Sequence, residues 1–440
     1  MAWPVTGSLL LTNVVDLVDI AMVSRLGRES VAAVGYAAQY GHLVRSMLLA
    51  VGVACVALVA RAIGARERAA AGRSLAGSLI VGVSAAFGFA LFAVLLPKRL
   101  ILLLDAEASV ASRAAPYFRL LLCSMLLYAV SVVLESAQRA HRNTRTPLLI
   151  AAVAAALKIL LNTLLIFGLF GLPRLELVGA GIASVCAETL SVLLYVGAAR
   201  YGTSEGQVLL PSLSDLRSAA SASRDVLRVS LPAVGERLVM SIALLVYFAI
   251  LSHYGTSVIA AYSIGVRLLA FSWLPALGFG AAAATLVGQA LGATEVEYAK
   301  RVGWRSMWLA LYVMAGLGAA CIVLRQPLAR VFTHDAGVIE QLLPFLMMLA
   351  VAQPFMGVHF TLSGALRGSG DTLTPLIGAT VGNWALRMPL AWVCARLLGL
   401  PVIWVWGALV ADHMLRCAWY VLSFKRGRWA RESARAVVPS

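Results

Sequence analysis

The chain has 440 residues, of which 61% are hydrophobic and 13% charged, and its formal net charge is +16. With a mean hydropathy of +0.88, it is too apolar for a soluble globular domain, so lipid is the solvent for most of it. The positive charge does not point to nucleic acid, because the basic residues sit in short polar segments rather than in one stripe interleaved with aromatics.

Twelve apolar stretches reach the ~20 residues that a helix needs to cross a bilayer. In chain order they are 3–24, 31–58, 75–97, 114–137, 147–170 and 176–199, then 229–252, 258–290, 304–325, 342–364, 375–396 and 403–424. The second and eighth exceed one bilayer thickness, which predicts tilt, a kink or an extension beyond the membrane. Between the sixth and seventh lies a long, polar, Ser-rich stretch, read as a cytoplasmic linker with a short amphipathic helix on the membrane. The expected domains are an amino-terminal six-helix lobe over 1–200, the linker over 201–228, a carboxy-terminal six-helix lobe over 229–425 and a cytoplasmic tail over 426–440.

The second half repeats the first at one offset, 228 residues. Pro4 returns as Pro232, Gly27 as Gly255, Gly64-Ala65 as Gly292-Ala293, Pro116 as Pro344, Thr146-Pro147 as Thr374-Pro375 and Gly179-Ala180 as Gly407-Ala408. An unchanged offset over that length implies duplication of a whole unit with equal loops. Six spans per repeat put both halves the same way up. The fold class is therefore an all-α polytopic membrane protein, with twelve transmembrane helices in two six-helix lobes related by a parallel internal repeat. Paired repeats are the usual basis of alternating access, which points to transport.

Basic residues orient the chain. With both termini cytoplasmic, twenty Lys and Arg residues (Arg61, Arg139, Arg145 and Lys425 among them) fall inside and nine (such as Arg25, Lys98 and Arg330) outside. The first apolar run begins at Trp3 with no basic segment ahead of it, so no cleavable signal is expected, and the abrupt start suggests that a few cytoplasmic residues precede it. Cys55, Cys123, Cys186, Cys321, Cys394 and Cys417 fall within spans and lack C-x-x-C spacing, so they read as small buried residues rather than disulfides or a metal cluster. No phosphate-binding G-x-x-x-x-G-K-[ST] and no H-E-x-x-H or other catalytic constellation appears, which argues against an enzyme and for an ion gradient as the energy source. One charge moved across 100 mV is worth about 2.3 kcal/mol. The 32 Arg against 4 Lys suggest a GC-rich bacterial genome. The expected setting is a monomer in the inner (plasma) membrane, with a small-molecule substrate and membrane lipid as partners, no nucleic acid and no cofactor.

Four segments resemble the signatures of the multidrug and toxic compound extrusion (MATE) family. They are VVDLVDIAMVSRLGRESVAAVG at 14–35, GAGIASVCAE at 179–188, GFGAAAATLVGQALGA at 278–293 and GALRGSGDTLTPLIGATVGNWALRMPLAW at 364–392. The segment at 179–188 is similar to the branch that includes DNA-damage-inducible protein F. The resemblance runs over essentially the whole chain and implies a twelve-helix secondary antiporter, which exports mostly cationic, amphipathic compounds in exchange for protons or Na+. Each piece also has a physical reading. The small residues of 278–293 let helix backbones approach closely. Gly368, Gly370, Asp371 and Thr372 before Thr374-Pro375 read as a tight turn and a helix start, a design kept with other residues at 139–147. These motifs read as scaffolding rather than substrate contacts.

Ionisable groups inside spans cost roughly 2.5–3.5 kcal/mol each at the helix centre and mark function. The first lobe offers Asp16 and Asp19, three residues apart and so on a similar face, with Lys158 and Glu188. The second offers Glu236, Arg237, Arg267, Arg387, Asp412 and Arg416. By the resemblance, Asp19 takes the place of the family's first-helix acid in a cation or proton site, which an Asn and an Asp on the fifth helix and a Thr on the sixth complete. The matching positions here are Lys158, Asn162 and Ser184. A site that has lost a carboxylate and gained an ammonium favours protons over Na+, because Lys158 repels a metal cation. The alternative is a buried structural pair with coupling elsewhere. Glu236 is then the leading acid, with Arg267 as a candidate partner, since Arg237 points to another face. Asp412 and Arg416, four apart, read as a pair along their own helix. His42, His359 and His413 read as helix–helix hydrogen-bonding residues. The competing function is a flippase for a lipid-linked or anionic amphipathic substrate, served by Arg237, Arg267 and Arg387 if they face a cavity. A membrane-embedded acyltransferase would need a catalytic His, Asp or metal cluster at the membrane edge, and none is evident.

Overall fold

The computed structural model describes residues 1–104, 107–201 and 210–430. Part of the linker, 202–209, and most of the tail, 431–440, lie outside the described residues. The chain divides into two compact units, residues 7–230 in one and residues 231–440 with 1–6 in the other. Residues 210–228, expected to form part of a separate linker, group with the first unit, as do 229 and 230.

The first lobe is built from α1 (Ala2–Ser24), α2 (Arg28–Gly64), α3 (Arg68–Leu95), the short α4 (Pro97–Leu102), α5 (Ala108–Ala140), α6 (Arg145–Phe167) and α7 (Glu176–Tyr201). All but α4 are spans. At 1.5 Å per residue, the 37 residues of α2 extend about 55 Å, well past the ~30 Å hydrocarbon layer. Its buried face, with Val44, Leu48, Val51 and Cys55, meets Phe118, Leu122, Val132 and Val133 of α5. A Cβ on Gly52 would stand 2.8 Å from the Ser136 hydroxyl, so α2 and α5 cross at a separation that needs glycine. The linker helix α8 (Leu213–Arg217) is five residues long and docks on α3, where the Asp215 carboxylate lies beside Gly72. It is held by a capping box: Ser212 N–H donates to Asp215 at 2.9 Å and Asp215 N–H to the Ser212 hydroxyl at 3.2 Å. The donors from Ser212 keep the Asp215 carboxyl below its ordinary range.

The seventh span, α9 (Ala219–Leu251), starts ahead of the expected residue 229. The eighth is two helices, α10 (Thr256–Ser272) and α11 (Leu274–Gly292), with Pro275 in the first turn of α11. The missing N–H of that proline accounts for the break between them, one of the three outcomes that the excess length allows. Next come α12 (Val296–Phe332) and α13 (Ala336–Gly368). The eleventh span runs as α14 (Leu373–Thr380), a π-helical stretch Val381–Arg387, α15 (Met388–Trp392) and a second π-helical stretch Val393–Leu397; α16 (Val402–Arg426) is the twelfth. Ten helical stretches among the described residues are long and apolar enough to cross a membrane by themselves. The eleventh is interrupted by its π geometry, next to Pro389, which offers no N–H. The twelfth carries Asp412, His413 and Arg416, which lower its hydropathy.

The repeat is written into the loops as well. Left-handed backbone recurs at the 228-residue offset, with φ of +96° at Gly27 and +93° at Gly255, 60° at Arg66 and 62° at Thr294, and 62° at Arg142 and +90° at Gly370. After the last pair the same cap forms twice. Asn143 accepts from Thr146 N–H at 3.2 Å, and Asp371 accepts from Thr374 N–H at 2.9 Å. These are the turns read from RAHRNTRTP and GSGDTLTP. In the second lobe, Gly364 packs directly on the Gly280 backbone and Gly368 on Ala284, so α11 and α13 touch through small residues.

Candidate functional site

Lys158 and Asn162 are four residues apart on α6 and so project from one face. Both reach Asp19 on α1. The Lys158 ammonium donates to Oδ2 at 2.5 Å, and the Asn162 amide donates to Oδ1 at 2.6 Å. Asn162 is buried, and its own Oδ1 has no hydrogen-bond partner among the described residues. The two side chains of the ion pair are 18% and 25% exposed, so the charges are partly desolvated and held in one geometry. Asp16 turns to α2, where Arg45 approaches at 3.8 Å and also lies over the Tyr128 ring at 5.1 Å. Ser184 is not hydrogen-bonded to Asp19. Its hydroxyl donates to Ala180 O at 3.0 Å, within its own helix.

A cavity of about 240 Å³ opens inside this lobe, lined by parts of α1, α2, α5, α6 and α7. Lys158 lines it, as do Asp16, Arg45 and Glu188. Glu135 and Arg139, an i,i+4 ion pair at the end of α5, line it further along. Sequence reasoning noted Glu188 as a charge within a span but singled out neither it nor Arg45. The signal lay in the spacing: both interrupt otherwise apolar runs of a dozen or more residues.

The second lobe pairs its charges differently from expectation. Glu236 receives a hydrogen bond from Arg367 at 2.6 Å, so its partner comes from the end of α13, and Arg267 lies exposed on α10. Asp412 is fully buried and gripped by Arg416 through two bonds of 2.6 and 2.7 Å, the pairing along one helix that the spacing indicates. Arg387 approaches Asp412 at 4.0 Å and lies over the Tyr247 ring at 4.2 Å. His359 and His413 bond through their ring nitrogens at 3.0 Å and stack with centroids 5.0 Å apart. Tyr247 stands 228 residues after Asp19, and Arg387 stands 229 after Lys158, the one-residue difference matching the extra residue that a π-helical turn takes up.

Chemically, the first lobe holds a carboxylate that can exchange a proton beside an ammonium that can leave it. In the second, the two carboxylates within spans, Glu236 and Asp412, are each held by a guanidinium.

Known proteins match this chain over nearly its whole length. A family model described as MatE matches residues 4–164 and 232–393, one segment in each repeat. A probable multidrug resistance protein NorM of Thermotoga maritima is 28% identical over 438 residues, covering 98% of this chain and 92% of that protein. Two solved structures share the fold. The MATE transporter VcmN of Vibrio cholerae, in its bent form, aligns with a TM-score of 0.89 at 22% identity, covering 98% of this chain and 96% of that one. A MOP superfamily transporter from Pyrococcus furiosus aligns at 0.86 and 21% identity, covering 100% and 96%. With both repeats matched over well over half of the sequence, the chain belongs to the MatE family of membrane transporters.

Proposed function

We propose that the chain is a secondary antiporter that exports organic, amphipathic cations, drugs among them, in exchange for protons. The two repeats are its alternating elements, and Asp19 carries the proton. The observation behind this reading is the Lys158 ammonium 2.5 Å from Asp19, in the place at the carboxylate that a metal cation would take. A second unit charge about 4 Å from that ammonium meets about 4 kcal/mol of repulsion at an effective dielectric near 20, roughly a thousandfold in occupancy. A proton is opposed by the same ammonium, which favours the ionised acid. But it bonds covalently to one carboxylate oxygen, needs no coordination space and leaves Lys158 free to move away, whereas a metal ion must share the carboxylate with the ammonium. Protonation of Asp19 frees Lys158, and loss of the proton restores the pair. A cationic substrate favours the ionised site and a proton its neutral form, so each displaces the other.

The probable multidrug resistance function named for the Thermotoga maritima relative supports export of drugs. The distribution of basic residues supports an inner-membrane protein with both termini cytoplasmic, working as a monomer without a cofactor. Flipping of an anionic or lipid-linked substrate draws on Arg237, Arg267 and Arg387. The engagement of Arg387 with Asp412 and Tyr247 weakens that alternative.

The test is cationic-dye transport in proteoliposomes under an imposed pH gradient and, separately, a sodium gradient. Wild type is expected to accumulate dye with the pH gradient alone, and Asp19→Asn to lose that accumulation. Normal pH-driven transport by Asp19→Asn would remove Asp19 from the coupling step. Dye movement under neither gradient would favour an anionic or lipid substrate.

A further inference from the structure

The first-lobe cavity holds more charge than one coupling pair needs. Its walls carry the carboxylates Asp16, Glu135 and Glu188 and the cations Arg45, Arg139 and Lys158. Asp19, bound to Lys158 from outside that lining, is a fourth carboxylate against three cations. The cluster is therefore one positive charge short of neutrality, inside a membrane where each unbalanced charge is costly. Two of the four acids have partners of their own: Glu135 has Arg139 within α5, and Asp16 has Arg45. Asp19 and Glu188 remain: Lys158 touches the first and lines the same cavity as the second, and Arg45, shared with Asp16, also faces Glu188.

Glu188, on α7, faces Arg45 of α2, Lys158 of α6, and Glu135 and Ser131 of α5. Ser131 is 6% exposed, lines the cavity and stands close enough to Glu188 to hydrogen-bond with its carboxyl group. A hydroxyl can donate to an ionised carboxylate or accept from a protonated one, so Ser131 suits either state of Glu188. Along α6 the lining runs from Ile150 to Lys158, about 12 Å at 1.5 Å per residue. The cavity thus reaches from the end of the lobe where α5 gives way to α6 down to the ion pair.

We propose that Glu188 is a second station for the coupled proton, and that Lys158 moves between the two carboxylates, pairing with whichever lacks the proton. In the arrangement seen here Lys158 holds an ionised Asp19, and the proton resides on Glu188, within reach of Ser131. On transfer the Glu188 O–H bond breaks and an O–H bond forms at Asp19, while the ammonium passes from Asp19 to the newly ionised Glu188. Atoms and charge balance without any further reactant. Glu188 acts through the Asp19–Lys158 pair, as a positioning and proton-carrying residue, and the inference rests on the proton reading above.

The test separates two modes of transport in proteoliposomes. Accumulation against a pH gradient requires net proton movement; dye-for-dye exchange without a gradient does not. In Glu188→Gln, a permanently neutral station, accumulation should fall roughly 10²-fold or more while exchange and dye half-saturation stay as in wild type. Glu188→Asp should restore accumulation with an altered pH profile. Accumulation unchanged in Glu188→Gln, or accumulation and exchange lost together in folded protein, would overturn the inference. Wild type driven only by sodium would overturn the proton reading as well, whereas a pH-driven wild type with an indifferent Glu188→Gln would remove this step alone. If Glu188→Gln fails to reach the membrane, wild type treated with dicyclohexylcarbodiimide carries the test, since that reagent modifies protonated carboxyls. Label at Glu188 that rises as the pH falls is expected, and none at any pH would overturn the proposal.

Discussion

At the scale of single residues, the ion preference proposed for the first lobe turns on one side chain. Lys158 supplies the positive charge that a metal ion would otherwise bring to Asp19. Lys158→Asn should therefore let Na+ reach the carboxylate, and dye accumulation in proteoliposomes should become responsive to an imposed sodium gradient where wild type is not. A mutant that remains indifferent to sodium would show that the repulsion of the ammonium is not what selects the ion. The contacts of Asp19 were legible in the sequence because Lys158 and Asn162 sit four apart on one helix and each matches a position in the family pattern. The partner of Glu236 was not. Arg367 is 131 residues away in sequence and reads there as one more basic residue at a span's end, so only tertiary packing identifies it. Ser184 fits its family position by type, yet its hydroxyl satisfies a carbonyl of its own helix, the usual competitor for a Ser or Thr in an apolar segment.

At the scale of helices, small residues decide where backbones meet. A methyl group on Gly364 would run into the Gly280 backbone, whereas one on Gly88 meets nothing within 4 Å. Gly364→Ala should cost about 1–3 kcal/mol through overpacking, seen as a lower melting temperature in detergent. Gly88→Ala, inside α3 with open space around it, should leave melting unchanged or raise it, and equal losses in the two would refute the close crossing of α11 and α13. The number of spans, the excess length of the eighth and the turns before Thr146 and Thr374 could be read in advance, since hydropathy and turn chemistry are local. The π-helical stretches could not. Val381–Arg387 holds its geometry where Gly382 lies against the Asp412–Arg416 pair of α16, and nothing in the local sequence reports that neighbour.

At the scale of the whole molecule, stoichiometry follows from charge. One proton exchanged for one monovalent cation moves no net charge, so the electrical part of the gradient cancels and only the pH difference remains, worth about 1.36 kcal/mol per unit. A potassium diffusion potential imposed on proteoliposomes at equal pH should drive no accumulation of a monovalent dye, while a pH step should. Accumulation driven by potential alone would require more than one proton per cycle. The position equivalent to Asp19 in the other lobe bears on this count. Tyr247 stands there, with Arg387, the counterpart of Lys158, laid over its ring. A duplication of the whole unit begins with two identical copies of every site. In this chain a cation stands in both copies and an acid in one, so a backbone that still repeats loop for loop now serves unequal halves. On the proton reading proposed above, descent has turned a twofold ancestor into a machine with a single place to load its fuel.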